Sequence, residues 1–132
     1  MANILGARRV IRVSRTAKED CITYEEAYKN FADAEVIINT TPCGMYPNII
    51  GEAINLDGFP KIEAVVDAIY NPLSSNLVIK AKDKGINATG GLYMLVSQAI
   101  FAVEKFMDKE CPQEKAQGIF KDIYKSKENI VL

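Results

Sequence analysis

Short apolar runs, helical apolar stripes and Pro/Gly punctuation alternate along the chain. The opening Ala2-Asn3-Ile4-Leu5-Gly6-Ala7 has the form of a last helical turn stopped by Gly6, so an upstream segment is expected before it. Arg8 to Val13 reads as a strand, β-branched at Val10, Ile11 and Val13, and it ends in Ser14-Arg15-Thr16. A polar stretch from Ala17 to Asp20 follows. Thr23 and Glu26 have capping-box spacing, which predicts a short helix from about Tyr24 to Asn30 or Phe31. Val36-Ile37-Ile38-Asn39-Thr40-Thr41 is an apolar run without alternation, as in a strand covered on both faces. Pro42 to Pro47 is loop. Ala64 to Tyr70 is a second buried-type strand.

Asn71-Pro72 reads as a helix cap followed by proline at the first helical position. That helix is expected to run to Lys84, with Leu73, Leu77 and Ala81 on one face and Gly85 as its stop. Ile86 to Thr89 is a short strand before Gly90-Gly91. A long helix follows from about 92 to 107, with Leu92, Leu95, Val96, Ala99, Ala102, Val103 and Phe106 as its core stripe. The last helix, about 112–125, presents Ala116, Ile119, Phe120 and Ile123. Strand and helix alternate throughout, which predicts an α/β fold with a mainly parallel sheet. In such sheets ligands bind beyond the carboxyl ends of the strands. The rule selects Ser14-Arg15-Thr16, Thr40-Thr41-Pro42, Asp67 to Tyr70 and Gly90-Gly91 as one candidate cleft.

Composition narrows the chemistry. The chain has 132 residues, enough for one domain. Its net charge of −1 offers no whole-chain attraction for nucleic acid or an acidic membrane. Zero histidines exclude Ser-His-Asp and Cys-His triads and imidazole metal ligands. The three cysteines, Cys21, Cys43 and Cys111, form no C-x-x-C pair and read as free thiols of a reducing compartment. No signal-peptide pattern and no membrane-spanning stretch is evident, so a cytoplasmic location is expected.

Several strand-end residues have two readings. Arg15 either forks onto the 2′-phosphate of NADP, aided by Ser14, Thr16 and Lys18, or is an exposed loop arginine. Asn39 to Pro42 either lines a cofactor path or bonds its own loop. Gly44 and Gly91 either let a ligand approach the backbone or make turns. Met94 and Gln98 share a helix face beside the core stripe, where Gln98 either meets a substrate hydroxyl or is a surface residue. Asp67, the only acid inside an apolar strand, is either a general acid or base or an acceptor for loop amides. The glycine-rich signature G-x-G-x-x-G does not occur, which argues against a self-sufficient nucleotide site.

Three segments taken together, Val36 to Tyr46 (VIINTTPCGMY), Val66 to Leu73 (VDAIYNPL) and Gly90 to Ala99 (GGLYMLVSQA), resemble the shikimate dehydrogenase family. Ser14-Arg15-Thr16 is similar to the family's Asn-Arg-Thr cofactor motif, with Ser in place of Asn. The resemblance covers nearly the whole chain. It implies an NADP-dependent oxidoreductase interconverting 3-dehydroshikimate and shikimate in aromatic amino-acid biosynthesis. It also implies that residues 1–132 form a single C-terminal NADP-binding domain: an incomplete Rossmann-like α/β domain whose mainly parallel sheet lacks the usual first strand. By position, Ser14, Arg15 and Thr16 would hold the 2′-phosphate end of NADP, and Lys18 and Thr40 are counted with them as cofactor-binding candidates from their own readings above. Ala68, Gly91 and Met94 would sit on the nicotinamide side, and Tyr70 and Gln98 would touch substrate.

The same resemblance marks departures. The family's catalytic Lys and Asp belong to an N-terminal substrate domain, so no catalytic residue is assigned in this chain. The first Rossmann strand and its phosphate-holding loop also have no counterpart. The chain alone is therefore expected to be inactive. Loss of a central strand exposes strand edges, so a homo-oligomer or a rearranged sheet is expected. Neither nucleic acid nor membrane is expected as a partner. The alternatives are a non-catalytic nucleotide-binding or assembly module, or part of a quinate/shikimate-type dehydrogenase.

Overall fold

A computed structural model describes residues 6–128 of the chain. The expected helical turn over residues 2–5 lies outside the described residues, while Gly6 is left-handed, at φ 83°. The chain forms two compact units, residues 6–35 with Ile54–Ile62, and Val36–Ala53 with residues 63–128.

In the first unit, β1 (Val13–Ser14) pairs in parallel with β2 (Ile22–Thr23). The ladder is shorter than the strand expected from Arg8 to Val13. β-branched residues favour extended backbone, but a strand exists only where a partner ladder forms, and Val10 and Ile11 are exposed outside it. Helix α1 (Tyr24–Asn30) begins as its spacing predicts. The Thr23 hydroxyl accepts from the Glu26 amide at 3.2 Å, and the Glu26 carboxylate accepts from the Thr23 amide at 2.9 Å. Ala27, Leu56 and Phe59 are buried, and the Tyr28 ring lies 5.3 Å from that of Phe59.

The second unit is built on a parallel sheet in the order β3 (Val36–Asn39), β4 (Ala64–Asp67) and β5 (Asn87–Thr89). Helix α2 (Asn76–Asp83) packs on β4 and β5, and with Val65 and Ile69 its Leu77, Val78 and Ala81 form the core. Register places Val36, Ile38 and Val66 on one sheet face, and all three are exposed. The expectation of cover on both faces is thus corrected: among the described residues of this unit, burial falls on the face of Val65 and Asp67.

The predicted cap at Asn71 is also corrected. Asn71-Pro72 is a cis bond in a turn, and Ser75 caps α2 through its hydroxyl, which accepts from the Val78 amide. The helix ends where expected, before Gly85 at φ 73°. Helix α3 (Leu92–Met107) has the predicted span, and α4 (Gln113–Glu128) extends slightly beyond the expected 112–125. Only the first part of the α3 stripe is core. Leu92 and Val96 are buried and Leu95 half-buried, whereas Val103 is exposed and Phe106 is 90% exposed. Periodicity defines an apolar face, but burial needs an element packed on it. Here α4 packs on α3, with Phe120 edge-on to Tyr93 at 5.5 Å. Among the described residues no helix is long and apolar enough to cross a membrane.

Candidate functional site

Parallel strands point their carboxyl ends the same way, so β3, β4 and β5 deliver Thr40, Ala68 and Gly90-Gly91 to one end of the second unit's sheet. Backbone bonds knit these ends together. The Ala68 amide donates to the Asn39 carbonyl at 2.9 Å, and the Gly91 amide donates to the Ile69 carbonyl at 2.7 Å. Gly91 is required by space. A Cβ there would lie 2.1 Å from the Ala68 carbonyl oxygen, far inside van der Waals contact. Gly91 therefore makes a close backbone approach within the fold, and Gly44, at φ 96°, makes a turn. Beyond Gly91, the first turns of α3 carry Met94 and Gln98, both exposed on a shared face. Tyr70 is also exposed, just past β4. Thr40, Ala68, Tyr70, Gly91, Met94 and Gln98 thus all lie on segments leaving the carboxyl ends of this sheet.

Ser14, Arg15 and Thr16 leave the carboxyl end of β1 in the first unit, where Arg15 and Thr16 are exposed. Lys18 sits in a bridge with Cys21, each amide donating to the other's carbonyl at 3.1 Å. Two nearby arginines are engaged. Arg9 pairs with Asp33 at 3.1 Å and lies over the Phe31 ring, and Arg12 pairs with Asp20 at 3.5 Å. Among the described residues no carboxylate pairs with Arg15. Its planar fork of donors, next to two hydroxyls, fits a phosphate dianion by the chemistry of the donor set.

The two readings of Asn39 and Asp67 are resolved by their bonds. Asn39 bonds its own loop, its side-chain oxygen accepting from the Thr41 amide at 3.0 Å and the Thr41 hydroxyl at 2.7 Å. Its amide nitrogen donates to Asp67 at 3.0 Å. Asp67 also accepts from the Ile69 amide at 3.0 Å and from the Ser75 hydroxyl. Asp67 is therefore an acceptor for loop amides. Ser75 is the member of this group missed in the sequence. Its signal was an S-x-x-V run three residues past a proline, overshadowed by the stronger-looking Asn-Pro pair.

No family model matches the chain. A shikimate dehydrogenase (NADP(+)) of Clostridium perfringens is 32% identical over 133 aligned residues, covering 89% of this chain and 46% of that protein. The crystal structure of a chorismate mutase/shikimate 5-dehydrogenase fusion protein from Clostridium acetobutylicum superposes with a TM-score of 0.85 at 30% identity, over 92% of this chain and 47% of the other. A shikimate dehydrogenase crystallised in complex with NADP+ matches with a TM-score of 0.61 at 31% identity, over 76% of this chain and 34% of its own. The chain spans about half the length of the curated relatives it matches. Mixed α/β structure with parallel sheets and these neighbours establish a Rossmann-like fold. Over most of its own length, this chain is homologous to the shikimate dehydrogenases.

Proposed function

We propose that the chain is the NADP-binding part of an oxidoreductase that interconverts 3-dehydroshikimate and shikimate, and that it does not turn over by itself. The observation that carries this reading is the gathering of Thr40, Ala68, Tyr70, Gly91, Met94 and Gln98 at the carboxyl ends of three parallel strands. Homology to NADP-dependent shikimate dehydrogenases over 89% of the chain supports it. Bound NADP+ supplies the hydride acceptor. In this chain Arg15 binds the 2′-phosphate with Ser14 and Thr16, and Lys18 adds positive charge. Ala68, Gly91 and Met94 border the nicotinamide, while Tyr70 and Gln98 offer hydroxyl and amide groups to a polyhydroxylated acid. No residue here is assigned proton transfer at the reacting carbon. The reading carries with it a cytoplasmic setting and homo-oligomeric assembly, with neither nucleic acid nor membrane as partner.

Calorimetric titration with NADP+ and NAD+ tests it. Saturable NADP+ binding is expected. A charged hydrogen-bonding contact is worth about 1.5–3 kcal/mol, so Arg15→Ala should weaken it by roughly 10- to 150-fold. NADPH formation from shikimate by the chain alone would refute inactivity. Equal affinity for NAD+ and NADP+, unchanged in Arg15→Ala, would refute the role of Arg15.

A further inference from the structure

The geometry assigns a positioning role to Asp67: its buried carboxylate holds the backbone at the ends of β3 and β4 in the shape that the Ala68–Gly91 approach requires. This inference rests on the cofactor reading above and identifies what keeps that site in shape. Asp67 is 1% exposed, so neither substrate nor cofactor reaches it. Its Oδ1 accepts from the Asn39 Nδ2 and from the Ile69 amide, and its Oδ2 accepts from the Ser75 hydroxyl.

Proton directions in the network follow from the donor inventory. The Ser75 oxygen accepts from the Val78 amide, so its own proton is free for Asp67. The Asn39 nitrogen faces Asp67, so its oxygen is the atom that takes both Thr41 donors. The Thr41 oxygen in turn accepts from the Cys43 amide at 3.3 Å. Donors thus run inward from the loop after β3 and from the start of α2, and both runs end on one carboxylate. A carboxyl group offers acceptors on both oxygens, so Oδ1 takes the Asn39 and Ile69 donors while Oδ2 takes the Ser75 hydroxyl.

The bond from the Ile69 amide back to Asp67, two residues earlier, is an Asx-type turn. It bends the chain out of β4 at Ala68. The bend leaves the Ala68 carbonyl against Gly91, where a Cβ would be 2.1 Å away, and leaves the Ile69 carbonyl to accept from the Gly91 amide. Asp67 consequently sets Ala68 and Gly91 without touching either bound molecule. A proton-transfer role is excluded by the same facts, since all approach is blocked and both oxygens are engaged.

The test combines amide hydrogen exchange with NADP+ titration in Asp67→Asn, Asp67→Ala and Arg15→Ala. Asp67→Asn retains an oxygen for the Asn39 and Ile69 donors but presents an NH2 in place of the oxygen that accepts from Ser75. It should keep slow exchange at Ile69 and Thr41 and bind NADP+ within about threefold of the parent. Asp67→Ala removes every acceptor, so exchange at both amides should accelerate by about tenfold or more, with a comparable loss of NADP+ affinity. Should Asp67→Ala not fold, Ser75→Ala removes one donor and should show the same pattern to a smaller degree. Arg15→Ala should weaken binding and leave both amides unchanged. Asp67→Asn losing NADP+ as completely as Asp67→Ala would overturn the inference, as would undisturbed Ile69 exchange in Asp67→Ala. If the parent chain binds no NADP+, the cofactor reading fails separately, and the exchange pattern still decides whether Asp67 holds the turn.

Discussion

Replacing Gly91 by alanine should destabilise the protein more than the same change at two other glycines. The new Cβ would sit 2.1 Å from the Ala68 oxygen and 2.5 Å from its carbonyl carbon. Ordinary contact is about 3.5 Å, so the start of α3 or the turn at Ala68 must move by more than about 1 Å. Overpacking of this kind costs about 1–3 kcal/mol. The same movement breaks the 2.7 Å bond from the Gly91 amide to Ile69. That loss adds about 0.5–1.5 kcal/mol. The sum, about 1.5–4.5 kcal/mol, corresponds to roughly 5–20 °C in Tm for a chain of this size. Two internal controls separate space from backbone strain. At Gly85 an added Cβ meets nothing within 4 Å, but φ is 73°. Gly85→Ala should therefore cost only the left-handed penalty of about 1–2 kcal/mol. At Gly118, inside α4, the added Cβ also meets nothing within 4 Å and no φ strain arises. Gly118→Ala should stabilise by about 0.5–1 kcal/mol. Urea and thermal unfolding followed by circular dichroism read all three. A Gly91→Ala protein no less stable than Gly85→Ala, or one whose α3 amides keep their parent chemical shifts, would refute the close approach of Ala68 and Gly91.

Two further outcomes are expected. Thr23→Ala removes one half of the capping box of α1 and should cost about 1 kcal/mol in urea unfolding, whereas an unchanged midpoint would mean the cap contributes nothing. Among the described residues β3 has a ladder partner on one side only, and it carries exposed Val36 and Ile38. Light scattering should accordingly show a dimer or larger species, and a monodisperse monomer at micromolar concentration would count against pairing through that edge.

Local signals were reliable wherever the physics is local. Thr23 and Glu26 announce the start of α1 because both capping bonds close within four residues. The apolar period of residues 92–107 marks the whole of α3, and Gly85 marks the end of α2, since each depends only on neighbours in the chain. The ends of β3, β4 and β5 were legible as a group, because strand and helix alternation predicts a parallel sheet and a parallel sheet gathers its carboxyl ends, whereas Ser14-Arg15-Thr16, read into the same cleft, lies on the separate two-stranded sheet of the first unit. Contacts between distant segments were not legible. Val10 and Ile11 have the composition of a strand, yet a ladder forms only at Val13 and Ser14, where β2 supplies partners. Phe106 belongs to an apolar stripe and is still exposed, because burial is a property of what packs on a face. Asn71-Pro72 has the pattern of a helix start, but Ser75 holds the cap. Its hydroxyl can accept from Val78 and donate to Asp67 together, and Asp67 is eight residues away. Asp67 shows the division most clearly. Residue type alone leaves proton transfer and structural acceptance both open, and only the convergence of Asn39, Ile69 and Ser75 on a carboxylate sealed from solvent decides between them. Chain-local hydrogen bonding and periodicity thus set the elements, while burial and the direction of each buried proton were set by segments that meet only in three dimensions.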